Sequence, residues 1–199
     1  MHDRLVKQPG IEEVERFSVG GHKQHWSHKE VLDIGSGDDP VPGADTLDRM
    51  ENFDPDIHQD LTELPLPIDD DRYDLIIMKD VLEHLPTAAE YLDRLFSELE
   101  RILKPHGSIY IRVPYYKGAE AAGDIQHARN GYSSQFHLEY VNTDLEVTSN
   151  WIVFAKGRKF LLFNKLIEPV ANAAPDIWEH TPLASWFPAM NLEMELRHG

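Results

Sequence analysis

The chain has 199 residues, enough for one domain with a core of its own. Its 35 acidic residues against 19 Lys and Arg leave a net charge of −16, spread along the chain, which repels phosphate backbones and argues against a nucleic-acid substrate. Cysteine is absent, which excludes disulfides, a thiolate nucleophile and Cys-ligated zinc; no apolar run reaches about eighteen residues and no signal pattern opens the chain, so a cytoplasmic protein without an integral membrane segment is expected.

Residues 1–30 offer few signals. Ile11–Phe17 can form a short helix and Gly20-Gly21 breaks it. His22, His25 and His28 recur every third residue, but no acid pattern stands beside them, so solvated histidines rather than a metal site are expected. The strongest signal follows in Val31-Leu32-Asp33-Ile34-Gly35-Ser36-Gly37. A short apolar run interrupted by an acid and then by Gly-x-Gly is the layout of a buried parallel strand running into a ligand-touching loop. A dinucleotide fingerprint needs a third glycine where Pro40 stands, so a nicotinamide dehydrogenase is excluded. Asp33, two residues before the first glycine, suits a ligand that carries an amine.

Asp38-Asp39-Pro40-Val41-Pro42-Gly43 is a turn-former. The next strand, Thr46-Leu47-Asp48, comes too soon for a crossover helix, so a loop or a single helical turn is expected between the first two strands. Asp48 ends its strand where a carboxylate can take both hydroxyls of a ribose. A further strand is predicted at Tyr73–Met78, followed by the turn Val81–Pro86.

A helix is predicted from Thr87 to about Leu103. Thr87 and Glu90 have capping-box spacing, and Leu92, Leu95, Phe96, Leu99, Ile102 and Leu103 form an apolar stripe. Asp93, Arg94, Glu98, Glu100 and Arg101 are expected to face water, and Pro105 and Gly107 to stop the helix before a strand at Ser108–Val113. After it come Tyr115, Tyr116 and a small-residue loop, Gly118–Gly123, suited to movement. Val147–Phe154 and Asn191–Arg197 alternate as strands. Between them Phe160, Phe163, Leu166, Ile167 and Val170 make a helical stripe, with Trp178, Trp186 and Phe187 beyond it. This insert reads as a cap on the sheet edge, or as a lid or greasy surface for a lipid-linked acceptor or a second subunit.

Taken in order from about Val31 to Pro114, these motifs resemble the class I S-adenosylmethionine-dependent methyltransferases in their small, single-domain form. The resemblance implies an α/β fold: a Rossmann-like, doubly wound, seven-stranded sheet with a C-terminal antiparallel hairpin. Residues 1–199 would be a single methyltransferase domain, with a cofactor-binding core at 31–114, a substrate loop at 115–145 and the helical insert at 157–188. A subset of these enzymes shares Gly-x-Gly-x-x-Pro, the following Pro-Gly pair and the early acid. The Asp-Pro-x-His-x-Arg segment of that subset resembles Asp124–Arg129, with Ile125 in place of the proline, followed by Tyr132-Ser133. Pro114-Tyr115-Tyr116 invites comparison with the Asn/Asp-Pro-Pro-Tyr motif of amino-methylating DNA enzymes. That motif belongs at the end of the fourth strand, where Met78-Lys79-Asp80 stands instead.

By this resemblance S-adenosyl-L-methionine is the cofactor, bound through Asp33, Gly35, Ser36, Gly37, Asp48, Asp60, Leu61 and Lys79. Asp48 would take the ribose, or merely cap a turn; Asp60 with Leu61 would sit by the adenine, or Asp60 would cap the turn at Leu61–Leu64. Lys79 is expected to turn away from the sulfonium or pair with Asp80. Methyl transfer from a sulfonium is an in-line displacement in which the protein aligns donor and acceptor and, for a hydroxyl acceptor, takes a proton. Histidine changes charge near neutral pH, which makes His127 the candidate base. Tyr115, Tyr116, Asp124, Arg129 and His137 are the candidate substrate contacts, Arg129 for a carboxylate or phosphate. Alternatively, Asp124, His127 and Arg129 pin the loop by mutual hydrogen bonds. The expected activity is O-methylation of a small molecule or sugar, with no metal and with a homodimer through the helical insert. The alternative is a non-catalytic S-adenosylmethionine-binding sensor or partner subunit.

Overall fold

The computed structural model describes residues 30–118, 121, 123–136, 138, 141–154 and 166–199. The helix expected at Ile11–Phe17, the histidines at 22, 25 and 28, the stripe residues Phe160 and Phe163, and His137 lie outside them. Strand β1 (Val31–Ile34) is buried along its whole length. It pairs in parallel with β2 (Asp45–Asp48) on one side and β4 (Tyr73–Lys79) on the other. The two-residue β3 (Ile57–His58) extends the sheet beyond β2. Strands β5 (Leu103–Pro114), β6 (Leu145–Val153) and β7 (Asn191–His198) complete an order of β3-β2-β1-β4-β5-β7-β6. β7 runs antiparallel to both β5 and β6. The expected seven-stranded sheet with an antiparallel ending is therefore present.

Alternation along the strands divides the core, because successive side chains point to opposite faces. Leu32, Ile34, Ile76, Met78, Ile109 and Ile111 join the larger cluster under helix α1 (Ala89–Ile102). Val31, Leu75, Ile77 and Tyr110 point the other way and pack with Val41, Ala44 and Trp151. Val41 belongs to the connection between β1 and β2, which holds no helix. Its N–H donates to Asp33 Oδ2 at 2.7 Å. A buried side chain thus fastens the loop that replaces a crossover helix.

Three details of the helix region differ from expectation. Thr87 does not cap α1; Ala88 occupies the N-cap and makes no side-chain hydrogen bond. Pro105 and Gly107 lie within β5. Its register against β4 jumps from Tyr73↔Leu103 to Leu75↔Ser108, so Lys104–Gly107 bulge outward, where a residue without an N–H is tolerated. Glu98 is buried rather than water-facing. It accepts the Leu66 N–H and the Arg101 guanidinium, both at 2.6 Å. Desolvation pushes its carboxyl up, but these bonds outweigh it and hold the group below its ordinary value. With Tyr91 Oη donating to Leu61 O at 3.2 Å and Arg94 to Leu64 O at 3.1 Å, one face of α1 clamps segment 61–66.

Beyond β6 lie the short helices α2 (Glu168–Ala173), α3 (Pro175–Glu179) and α4 (Leu183–Trp186). Trp178 is buried against Phe154 and Phe187. Leu166, Val170, Ile177 and Trp186 are exposed. Asn172 meets the outer edge of β6: its Oδ1 accepts the Ile152 N–H at 2.7 Å and its Nδ2 donates to Ile152 O at 2.9 Å. Among the described residues no helix is long and apolar enough to cross a membrane.

Candidate active site

The strand order reverses between β1 and β4, and ligands of open α/β sheets bind at the carboxyl ends of strands at such a point. There the chain leaves β1 through Gly35 (φ +65°) and Gly37 (φ +52°). A Cβ on Gly35 would stand 2.4 Å from Val81 Cγ2, whereas one on Gly37 would enter open space. Gly35 is therefore required for close packing on the turn after β4, and Gly37 for its backbone angle. The Gly35 N–H donates to Leu47 O at 2.7 Å and the Gly37 N–H to Asp48 Oδ2 at 2.9 Å, so β2 holds the loop.

A cleft of about 210 Å³ opens beside this loop. Gly35, Asp48, Asp60 and Leu61 line it, with Gln59, Asp80, Val81, His84 and Gln126. Asp33, Ser36, Gly37 and Lys79 are not in its wall. Asp48 is nearly buried and also accepts the Met50 N–H at 2.8 Å, leaving further lone pairs toward the cleft. Asp60 Oδ1 caps the turn that follows, accepting the Thr62 N–H and hydroxyl at 2.8 Å each. Those bonds hold its carboxyl below the ordinary value.

Asp33 is fully buried, and desolvation raises its carboxyl above the usual range. Lys79 Nζ stands 3.7 Å from Asp33 Oδ2 and donates to Asp39 O at 3.1 Å. Lys79 thus turns away from the cleft, but its carboxylate is Asp33 and not Asp80. Asp80 accepts the Arg112 Nε–H at 3.2 Å instead; it follows the end of β4 with φ +56°, one residue beyond the Lys79↔Arg112 pair.

On the far side of Leu85 lies a second cavity of about 490 Å³. Its wall is mostly apolar, including Leu82, Leu85, Phe96, Tyr132 and Phe136, and among the described residues Arg129 is its one charged lining residue. Tyr116 and Arg129 reach this cavity, and the Arg129 guanidinium stacks over the Tyr132 ring at 5.2 Å. Tyr115 does not. Its side chain is fully buried against Tyr116, and burial pushes its phenol far above the ordinary value. It is a core residue rather than a substrate contact, because β5 alternation turns it inward. Asp124 is exposed, and its Oδ1 accepts the Gln126 N–H at 2.8 Å.

His127 is in the wall of neither space, but its neighbour Gln126 lines the cleft and Arg129 the larger cavity. The His127 side chain is 6% exposed. Nδ1 lies 3.4 Å from Ala121 O, and Nε2 lies 4.0 Å from Asp124 Oδ2. Its ring meets the His84 ring edge-on, with centroids 4.8 Å apart. The His127 N–H also donates to Asp124 O at 3.4 Å, so Asp124 and His127 hold one another, while Arg129 turns to the Tyr132 ring. The Ala128 and Arg129 N–H groups donate to Glu83 O at 2.7 and 3.3 Å, fastening the segment to the turn after β4. Glu83 and His84 were not candidates from sequence. Their only signal was position, in a turn leaving a strand at the ligand-binding edge. With His127 they offer ligand atoms within 4.8 Å of one another.

The sheet order and the Gly-x-Gly loop at its switch point are those of the class I S-adenosylmethionine-dependent methyltransferase fold. Residues 32–111 match the family model described as "Methyltransferase domain", and S-adenosylmethionine is the cosubstrate. No curated protein matches the chain in sequence. An S-adenosylmethionine-dependent methyltransferase from Archaeoglobus fulgidus is 16% identical, with 85% of this chain and 86% of that one covered at a TM-score of 0.54. One from Mesorhizobium loti is 15% identical, with 85% and 91% covered at 0.53. A protein solved in complex with the Haloferax volcanii Trm112 methyltransferase activator is 18% identical, with 94% and 87% covered at 0.56. At such identities the likeness is one of fold.

The residues present fit the cofactor. The cleft has three acids in its wall, Asp48, Asp60 and Asp80, beside the Arg49 guanidinium; the Gly37 position is open, and the Lys79 ammonium is held behind the loop by Asp33.

Proposed function

We propose that the chain methylates a hydroxyl of a small molecule or sugar that carries an anionic group. The observation that carries this reading is His127. It is almost enclosed, its Nδ1 faces the Ala121 carbonyl, and it stands between Gln126 in the wall of the cleft and Arg129 in the wall of the larger cavity. Bound S-adenosylmethionine supplies an electrophilic methyl group on a sulfonium. Asp48 takes the ribose hydroxyls and Asp60 with Leu61 the adenine edge, while Asp33 acts indirectly by holding the Gly-x-Gly loop and the Lys79 charge. The acceptor occupies the larger cavity with its anion on Arg129, and His127 acts on the hydroxyl proton. A free amine would not need such a base, which favours oxygen as the acceptor atom.

The experiment is release of S-adenosylhomocysteine across a panel of hydroxy acids, sugar acids and their uncharged analogues. Turnover is expected with the anionic members. Arg129→Gln should raise KM for them by about 10–100-fold, the worth of a hydrogen bond to a charged group, with kcat little changed. Preference for the uncharged analogues, or no effect of Arg129→Gln, removes the anionic acceptor; no turnover on any hydroxyl removes O-methylation.

The exposed apolar side chains Leu166, Val170, Ile177 and Trp186 support the reading that a second copy of the chain packs against the helical insert. The expected mass in solution is twice 22.9 kDa, returning to the monomer in Trp186→Ser/Val170→Ser. A monomeric wild type overturns it.

A further inference from the structure

Methyl transfer as described uses one imidazole of a three-residue cluster. Glu83 and His84 leave the short turn after β4, and His127 comes down on them from the segment after β5. We propose that Glu83, His84 and His127 form a binding site for a first-row divalent cation, zinc foremost, whose open position takes the acceptor hydroxyl. This deepens the reading above and rests on it.

Four observations carry the site. The three ligand atoms lie within 4.8 Å of one another; a tetrahedral zinc with bonds near 2.0–2.1 Å needs neighbours about 3.3 Å apart. His84 is exposed and can turn to close that gap. The spacing is fixed by backbone, since the Ala128 and Arg129 N–H groups both donate to Glu83 O. The approach of His127 Nδ1 to Ala121 O, at 3.4 Å, selects the tautomer that leaves the Nε2 lone pair available, the arrangement usual for a metal-bound histidine. Finally, His84 also lines the cofactor cleft, so a fourth ligand position opens toward the place where donor and acceptor meet. Two neutral imidazoles and one carboxylate with an open position form a donor set typical of catalytic zinc.

The chemistry balances without any further reactant. With one carboxylate among the ligands, the bound cation keeps a net positive charge, which lowers the pKa of the coordinated hydroxyl. Its proton leaves to solvent, the oxygen lone pair forms the C–O bond, and the S–C bond breaks with its electron pair passing to sulfur. The products are the methyl ether and S-adenosylhomocysteine. With its Nε2 lone pair on the ion, His127 no longer takes the hydroxyl proton itself but acts on the hydroxyl through the ion it holds.

The test is calorimetric titration of chelator-treated protein with zinc chloride, and separately with S-adenosylhomocysteine. One zinc per chain is expected, with affinity falling at least about 10–100-fold in His84→Gln and in His127→Gln. Cobalt(II) should give a visible absorption band that both variants lose. A triple variant, His22→Gln/His25→Gln/His28→Gln, should keep the zinc. Glu83 is buried and its replacement can unfold the turn, so the two histidine variants decide. Absence of zinc binding in wild type that binds S-adenosylhomocysteine overturns the proposal, as does binding that survives in both histidine variants or vanishes in the triple variant. Failure to bind S-adenosylhomocysteine strikes the reading of the cleft instead, and the zinc titration still decides the cation site by itself.

Discussion

Replacing His127 by Ala is expected to lower turnover on the true acceptor by about 10²–10⁴, or roughly 2.7–5.4 kcal/mol of transition-state stabilisation. The affinity for S-adenosylhomocysteine should stay nearly unchanged. The split follows from position: His127 approaches the cleft through His84 and is not part of the cofactor wall, whereas Gln126 beside it is. A group that meets only the acceptor contributes to kcat and not to donor binding. The measurement is kcat alongside calorimetric binding of S-adenosylhomocysteine to wild type and variant. Equal loss of rate and of affinity would make His127 a structural residue. Full activity would move the role elsewhere, and not to Tyr115, whose enclosed phenol cannot ionise near neutral pH.

The second large effect is expected at Asp48. S-adenosylhomocysteine in hundredfold excess over its dissociation constant should stabilise the wild type by about 2.7 kcal/mol, whereas NAD should leave it unchanged. Asp48→Ala should weaken S-adenosylhomocysteine binding by roughly 1.5–3 kcal/mol, because two ribose hydroxyls lose a charged acceptor. The same substitution releases the N–H groups of Gly37 and Met50 from the carboxylate, so the melting temperature without ligand should fall as well. Measuring affinity by calorimetry at a temperature where the variant is folded separates the two losses. A variant that is less stable yet binds as tightly would falsify the ribose role and leave Asp48 as the fastener of the loop. Stabilisation by NAD equal to that by S-adenosylhomocysteine would sink the cofactor cleft itself.

Where a short stretch of sequence carries its own cause, it was legible. β1 follows from an apolar run that ends in Gly-x-Gly. The absence of a first crossover helix follows from two prolines and a glycine within six residues, Asp38–Gly43. The stripe on α1 follows from helical spacing. Cases that required a partner from elsewhere in the chain were misread. Glu98 has the pattern of a solvated residue, and only the loop at Leu66 and the turn to Arg101 bury it. Lys79 has an adjacent acid in sequence, but the left-handed turn at Asp80 after β4 ends with its carboxylate on Arg112, and Lys79 meets Asp33. Tyr115 continues a strand whose alternation buries it. Of the candidate site, Asp48 could be placed from the end of its strand, and Asp60 with Leu61 through the family resemblance; all three line the cleft. The meeting of Glu83 and His84 with His127 could not, since it depends on the bonds from Ala128 and Arg129 to Glu83 O.

Asn172 has a consequence for how this molecule meets its neighbours. β6 is the outer strand of the sheet, and a bare outer strand is a template on which another chain can add its own. The carboxamide of Asn172 takes both the N–H and the C=O of Ile152, imitating in one side chain the backbone that an added strand would bring. At the opposite margin β3 offers only two residues, Ile57 and His58. Among the described residues, one pairing position of the β6 border is thus taken by a side chain, and the opposite border is too short to template a full strand. This disfavours growth of the sheet from chain to chain and favours association through side-chain surfaces, where it can stop at a defined number of copies.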